Sequence, residues 1–209
     1  PPTSHIETRL LAKSMFENTI FLASINYDAD MLASAVQMLP ETLDMYETPR
    51  RILYLYTLSL LSFYTEEYET ARGLIYQIET HGRKSTQFLE WQISTLRLLT
   101  HIELGENDLV ESLLRSTSRV IGKHALEFPK VMYQVANHRY RSPGNKQPYA
   151  DLLGQLGTLA KDPREKEAMD YFHLPAYLIS KLDNSSLQEV LLDLRQKADA
   201  SDNPTAARA

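Results

Sequence analysis

The sequence predicts an all-α fold, a stack of about eight to nine helices joined as hairpins. Within residues 51–122, apolar side chains recur at helical spacing and strand patterns are almost absent. Two turns in this stretch, at residues 65–67 and 105–107, lie about 39 residues apart, a period typical of helix-pair repeats. Each such pair leaves an apolar face that only a neighbouring pair can cover, so the pattern indicates a stack.

The composition indicates one sizeable domain that needs no disulfide or metal. Of the 209 residues, 43% are hydrophobic, enough for a single core over residues 1–198, and we expect the polar end, 199–209, to be flexible. The absence of cysteine excludes disulfides, thiolate nucleophiles and cysteine-ligated zinc, and it fits a reducing compartment. We therefore expect a cytoplasmic protein.

The chain shows no membrane or export signal. Its longest apolar run, residues 52–64, is interrupted by hydroxyl residues and is shorter than the roughly 20 residues that a membrane span needs. The first residues lack a basic segment followed by an apolar one, so no signal peptide is predicted. Because the chain does not begin with methionine, we expect it to be a piece of something longer.

The first hairpin is predicted at residues 4–39. Ser4 and Glu7 have the spacing of a capping box that opens a helix over 4–26. The apolar residues of this helix predict one wet face and one buried face. The buried set includes Leu10, Leu11, Met15, Phe16, Ile20 and Ala23. A second helix is predicted from residue 28 to residue 39, ending before Pro40.

Two further hairpins are predicted between residues 48 and 122. Thr48 and Pro49 form a cap followed by proline at the first helical position, and the helix over 49–65 is apolar nearly all round, which indicates packing on several sides. The next helices are predicted at 68–81, 86–104 and 108–121, with Gly82 and Gly122 as stops.

The remaining helices are predicted at 125–140, 149–160, 162–181 and 185–198. Asp162, Pro163 and Glu165 give the strongest local signal, a capping residue, a proline at the first position and an acid at the third. The helix that begins there must bend near Pro175. Ser185 and Gln188 have the spacing of another capping pair, and the last helix is amphipathic.

Several residues resemble a degenerate tetratricopeptide repeat, a helix pair in which small side chains allow close approach. In the first pair these are Ser59, Ser62, Tyr68 and Ala71, and in the second Gly105 stands at the turn. The chain departs from the repeat at Val110, which stands where the first pair has Ala71, in its long period, and in having no closing proline. The resemblance implies a tetratricopeptide-like α-solenoid that binds peptides in its groove.

Two longer segments are similar to the C-terminal part of a family of larger, uncharacterised bacterial proteins with such repeats. They are HIELGENDLVESLLRSTSRV, residues 101–120, and LAKDPREKEAMDYFHLPAYLISKL, residues 159–182. This second resemblance implies fold and context but no activity. It leads us to expect the C-terminal piece of a longer cytoplasmic bacterial chain.

Charge is unevenly distributed along the sequence. The whole chain has a net charge of -5, which argues against general nucleic-acid binding. Residues 66–111 hold nine acids and four bases, whereas residues 115–146 hold seven bases and one acid. A basic second half of the central stack is therefore predicted, and it leaves a nucleic-acid role open.

The sequence offers no constellation that carries chemistry. The six histidines are scattered, with no HExxH and no helical pair three or four residues apart, so no metal is predicted. No nucleophile elbow and no phosphate-binding glycine loop is present. Acid pairs such as Glu66 and Glu67 lie at a predicted solvent turn, where burial cannot separate their pKa values. We expect no enzyme and no cofactor.

Two groups of residues are candidates for binding a partner. The first is a polar stripe at helical spacing on the helix 86–104, which could line a solenoid groove or could simply be its exposed side; its members are Glu90, Ser94, Arg97 and His101. The second is a basic and aromatic group that could grip an acidic peptide, a phosphate or a nucleic-acid backbone, or could be a solvated face; its members are Arg115, Arg119, His138, Arg139, Tyr140 and Arg141.

These features predict a protein-binding or scaffolding module without catalysis. The expected partner is another protein or peptide, or an N-terminal domain of the same chain, and no membrane. The alternative is a nucleic-acid-associated regulatory domain that uses the basic group. The two differ in salt dependence, since phosphate binding weakens steeply as salt rises.

Overall fold

The computed structural model describes residues 5–80 and 89–202, and all regular structure in these ranges is helical. It comprises eleven α-helices and one short 3₁₀ helix. The all-α class is thereby confirmed, but the predicted number of eight to nine helices is wrong. No helix within the described ranges is both long enough and apolar enough to span a membrane.

The chain divides into two compact units between Leu89 and Glu90. The helices of the first unit are α1 (His5–Asn26), α2 (Ala29–Thr42), the 3₁₀ helix (Leu43–Met45), α3 (Thr48–Tyr64) and α4 (Tyr68–Thr80). Those of the second unit are α5 (Glu90–Glu103), α6 (Asn107–Ile121), α7 (Phe128–Arg141), α8 (Gln147–Leu159), α9 (Pro163–Met169), α10 (Leu174–Asp183) and α11 (Leu187–Asp202).

Successive helices pack as pairs within each unit, as the hairpin pattern predicts. In the first unit α1 packs on α2 and α3 on α4; in the second, α5 packs on α6 and α7, and α10 on α8 and α11. The α3–α4 pair buries the small residues Ser59, Ser62 and Ala71 completely. Both hydroxyls donate to carbonyls of their own helix, so they add no unpaired polar group to the contact. Stacking of the α5–α6 pair on the α3–α4 pair, which a solenoid requires, stays a prediction.

An aromatic group fastens α1 to the rest of the first unit. The ring of Phe16 lies 5.5 Å from that of Tyr54 on α3 and 6.1 Å from that of Tyr46, measured between centroids. The Tyr54 hydroxyl donates to Glu17 of α1 at 2.8 Å. Burial, followed by the interaction with Glu17, raises the pKa of both tyrosines, so their hydroxyls remain protonated. Therefore one side of α1 is held firmly against α3.

Two predicted helix ends differ in the first unit. The helix α3 begins at Thr48 itself, with Glu47 at the cap position, so the prediction that Thr48 is the cap is wrong. The helix α2 continues through Pro40 to Thr42, instead of stopping at Leu39. Its start is as predicted, because the Asp28 carboxylate accepts hydrogen bonds from the amides of Asp30 and Met31. The capping box predicted at Ser4 and Glu7, and the stop at Gly82, lie outside the described residues.

In the second unit the predicted helix over 162–181 does not bend but divides in two. Asp162 caps α9 by accepting from the Arg164 amide at 2.9 Å, as predicted. The next helix, α10, begins at Leu174 with a new cap, the ring of His173, which accepts from the Ala176 amide. Pro175 therefore stands in the first turn of a helix, where its missing amide hydrogen costs nothing.

The last helix begins one residue later than the capping pattern predicts. Ser186 and Glu189 exchange side-chain and backbone hydrogen bonds, so they form the capping box in place of Ser185 and Gln188. The helix α11 extends to Asp202, past the predicted end at Ala198, and residues 203–209 of the predicted tail lie outside the described ranges.

The helix α7 receives its N-terminal cap from a distant residue. The buried carboxylate of Glu165, on α9, accepts from the amides of Glu127 and Phe128 at 2.7 and 2.9 Å. These are orphan donors at the start of a helix, where a negative charge also meets the positive end of the helix dipole. Glu165 thus joins α9 to α7 instead of closing a capping box in its own helix.

We expect Glu165→Ala to lower the free energy of unfolding by about 1–3 kcal/mol, because it leaves the buried amide of Phe128 and the partly buried amide of Glu127 without an acceptor. Urea unfolding followed by circular dichroism measures the change. The control is Glu167→Ala, at an exposed position of the same helix, which we expect to change stability by at most about 0.5 kcal/mol. Equal midpoints for the two variants would contradict the capping role.

Candidate functional site

The polar stripe predicted on α5 is only partly available to a partner. Glu90, Ser94 and Arg97 are half-buried and lie on one side of a helix whose other residues, from Trp91 to His101, are buried. His101 is itself buried, and its Nδ1 contacts the Glu106 carboxylate across the α5–α6 turn. Arg97 also interacts within the protein. His101 therefore joins the last turn of α5 to the α5–α6 connection.

The predicted basic group does not form one surface. The Arg141 guanidinium lies 3.4 Å from the Glu111 carboxylate and also donates to Asn137, with the Tyr140 ring beside it. His138 hydrogen-bonds to the Asn145 carbonyl at 2.7 Å and packs its ring edge-on against Tyr149. These side chains are engaged within the second unit.

Arg139 belongs to a buried ion-pair cluster. It donates two hydrogen bonds, at 3.0 and 3.2 Å, to the two carboxylate oxygens of Glu103, whose side chain is only 6% exposed. Glu103 also accepts from the Tyr177 hydroxyl at 2.5 Å and from the Lys181 ammonium at 3.2 Å. We call these four residues the Glu103 cluster; it joins α5, α7 and α10.

The electrostatics of the Glu103 cluster follow from its pairing. Burial alone would raise the pKa of Glu103, but the hydrogen bond from Arg139, the charge of Lys181 and the hydrogen bond from Tyr177 outweigh it and lower that pKa. The hydrogen bond to Glu103 raises the pKa of Arg139, and burial raises the pKa of Tyr177 far above its ordinary value. Glu103 is thus an ionised carboxylate whose oxygens accept hydrogen bonds from protein donors instead of water. Such a stabilised carboxylate is unsuited to accept a proton from a substrate.

Two cations of the predicted group, Arg115 and Arg119, remain open to solvent together with the neighbouring Lys123. Arg115, Arg119 and Lys123 are exposed on the outer side and end of α6, and none of them makes an ion pair or a side-chain hydrogen bond within the described residues. Arg115 and Arg119 are four residues apart and so lie on one face of the helix. We call these three residues the α6 basic face. It is much smaller than the seven-base stretch suggests.

Most of the large apolar side chains that are exposed among the described residues lie on α1, where the sequence predicts a buried face. Leu10, Leu11 and Phe21 are each 61% exposed, Met15 is 53% exposed and Leu22 is 41% exposed. These are five of the nine large apolar side chains that are exposed among the described residues. The prediction that Leu10, Leu11 and Met15 are buried is therefore wrong, whereas Phe16, Ile20 and Ala23 are buried as predicted.

These exposed side chains form one continuous face. At about 100° per residue, the set covers about 140° of the helix circumference, opposite the side that carries Phe16, Ile20 and Ala23. Its members, which we call the α1 outer face and which are all exposed except the half-buried Ile25, are Leu10, Leu11, Ser14, Met15, Asn18, Phe21, Leu22 and Ile25. None of them is charged. The α1 helix is thus apolar on two sides, and only one of these packs in the first unit.

A smaller recess lies beside α2 in the same unit. It has a volume of about 380 Å³ and is lined by Leu32, Ala33 and Val36 of α2 and by Glu67 and Thr70 near the start of α4. It is open to solvent and holds no group of titratable residues suited to catalysis. Within the described ranges no three His, Asp or Glu side chains are placed to hold a metal ion.

Comparison with known proteins gives no relative that would indicate a function. No family model matches the chain, and no curated protein or solved structure matches it either.

We expect Glu103→Gln to lower the free energy of unfolding by roughly 3 kcal/mol at neutral pH, because Arg139 and Lys181 lose their counter-ion in a site that excludes most water. The matched control is Glu111→Gln, which removes the exposed partner of Arg141 and should cost less than about 1 kcal/mol. Urea unfolding of the three proteins gives both values.

The same pair of proteins should show a defined pH dependence. Because folding lowers the pKa of Glu103 below its ordinary value of 4.5, its contribution is complete above that pH and is lost as the pH falls further. The stability difference between the wild type and Glu103→Gln should therefore shrink below about pH 4.5. A difference that stays constant down to acid unfolding would contradict the ionised state of Glu103.

Proposed function

We propose that this chain is a protein-binding module without catalysis and that its principal binding surface is the α1 outer face. One observation carries the proposal: a single helix exposes five large apolar side chains on one uncharged face. Contiguous apolar surface of this kind is costly in water and marks interaction sites in folded proteins. The partner that suits such a surface is an apolar helix face of another chain.

The structure of the first unit supports this assignment by holding α1 in place. Phe16 and Glu17 tie the inner side of the helix to Tyr46 and Tyr54. Lys13 also turns inward, with its ammonium 5.1 Å from the centre of the Tyr46 ring. The charged side chains in the middle of α1 are thus used within the unit, and the outer face meets a partner preformed and uncharged.

The groove of a tetratricopeptide-like solenoid is an alternative binding site for a peptide within the same proposed function. It would use the half-buried line of Glu90, Ser94 and Arg97 on α5, which is the one side of that helix without full cover. We rank it below the α1 outer face because His101 and Arg97 already interact within the protein. Scaffolding through both surfaces is compatible with the proposal.

The nucleic-acid alternative rests on the α6 basic face alone. Arg115, Arg119 and Lys123 can contact about three phosphates, whereas proteins that bind duplexes firmly commonly use about six to ten. The net charge of -5 opposes approach to a polyanion. We therefore keep this role as the second candidate.

The test is affinity capture on the immobilised chain, comparing the wild type with Phe21→Asp and with Tyr76→Asp as control. Tyr76 is 67% exposed on α4 and lies outside the α1 outer face. A partner of the α1 outer face should bind Phe21→Asp at least about tenfold more weakly, because an apolar contact is lost and a charge is buried. The same partner should bind Tyr76→Asp normally.

Salt separates the two candidate functions in the same experiment. Binding to the α1 outer face should persist at about 1 M salt, where the Debye length is about 3 Å and interactions between exposed charges are screened. Binding through the α6 basic face should weaken steeply with salt and with Arg115→Ala plus Arg119→Ala. If Phe21→Asp, Arg115→Ala and Arg119→Ala all leave the affinity of the captured partners unchanged, both functions are contradicted.

A further inference from the structure

We propose that the partner of the α1 outer face is a second copy of this chain, docked antiparallel about a two-fold axis that passes beside Asn18. This inference rests on the proposed function of the face and names its occupant. It follows from the absence of charge on the face, from the pattern of its side chains about residue 18, and from the position of a single amide at its centre.

The charge pattern favours a copy of the chain over a charged partner. The eight residues of the α1 outer face include no acid and no base. Two copies can therefore approach through this face without like charges meeting, although each has a net charge of -5. An acidic or basic partner would find on this face no charge that selects it.

The side chains of the face complement themselves about Asn18. In an antiparallel pair centred there, Leu11 meets Ile25 of the other copy, and Met15 meets Leu22 on one flank. On the other flank the small Ser14 meets the large Phe21. Large side chains thus meet each other along one flank, and along the other Phe21 fills the space beside Ser14, so that the two helices can pack closely.

A parallel pair would pack less evenly. It would bring Phe21 and Leu22 together at one end of the seam and Ser14 and Met15 together at the other, so that the helices would diverge. It would also align the two helix dipoles, whereas an antiparallel pair opposes them. The antiparallel arrangement is therefore the one that the side chains of α1 favour.

Asn18 supplies the register. Its amide is exposed and makes no hydrogen bond within the described residues. At the two-fold axis it would face the same amide of the other copy, and one carboxamide can donate to the other. A buried asparagine in an otherwise apolar helix seam fixes register at a cost in affinity, because any shifted pairing leaves the amide unsatisfied.

The contact is small, so the dimer should be reversible. The face runs from Leu10 to Ile25, about 22 Å along the helix, and offers less area than the about 800 Å² per partner of a standard interface. Sedimentation velocity between about 1 μM and 1 mM should show a concentration-dependent monomer–dimer equilibrium. Phe21→Asp should weaken it at least about tenfold, and Tyr76→Asp should not.

Disulfide trapping tests the orientation, and the chain is well suited to it because it contains no cysteine. A disulfide requires a distance of less than about 7 Å between the two Cα atoms, and facing residues in the seam meet this requirement. Under mild oxidation Asn18→Cys should therefore link to itself. Leu11→Cys should link rapidly to Ile25→Cys in a mixture but not to itself, and Ser34→Cys, at an exposed position on α2, should not link.

The outcomes separate the inference from the function on which it rests. Rapid self-linking of Leu11→Cys without linking to Ile25→Cys would overturn the antiparallel arrangement. A chain that stays monomeric at the highest concentration, or a dimer that Phe21→Asp leaves unchanged, would overturn the inference altogether. If the monomeric chain still captures a different protein in a Phe21-dependent way, the proposed function stands without it.

Discussion

Burial of one-sided apolar helices is the constraint on which this protein depends. Each helix pair covers one face of each member, and the helices with a second apolar face need further cover. In the second unit α5 receives it from both α6 and α7, so that nine of its fourteen residues are buried and none is exposed. In the first unit α1 has two apolar faces and only the one with Phe16 and Ile20 is covered. Burial of the uncovered face would therefore stabilise any complex in which it is covered.

The basic charges of the second unit, unlike the apolar face of α1, are largely paired within the folded protein. The stretch over 115–146 looks like a basic patch along the sequence, yet its central arginine, Arg139, neutralises a carboxylate from α5, and its neighbour Arg141 meets Glu111. A buried carboxylate must find donors, and two bases and a tyrosine hydroxyl supply them to Glu103. Local excess of one charge is therefore a poor guide to surface charge where helices from distant parts of the sequence meet.

Helical periodicity and turn residues predict most of the helices because both are local properties. The starts of α2 and α9 follow from capping residues within a few positions, Asp28 and Asp162. What the sequence does not predict depends on partners far along the chain. Glu165 has the spacing of a local capping box but caps α7, 37 and 38 residues away, and Glu103 meets Tyr177 and Lys181 at 74 and 78 residues.

The helical periodicity of α1 identifies its apolar residues but does not predict that those of the α1 outer face are exposed. Periodicity shows that a residue lies on an apolar side of a helix but not whether that side is covered. Between residues 9 and 26 of α1 the apolar residues occupy two opposite sides. One side holds the buried Phe16, Ile20 and Ala23, and the other, which also holds the polar Ser14 and Asn18, is exposed. A helix with two apolar sides and one neighbouring pair has more surface to bury than the pair can cover. That excess apolar surface remains exposed in the folded first unit, whereas the arginines of α7 are paired, and for this reason we propose α1 as the binding surface.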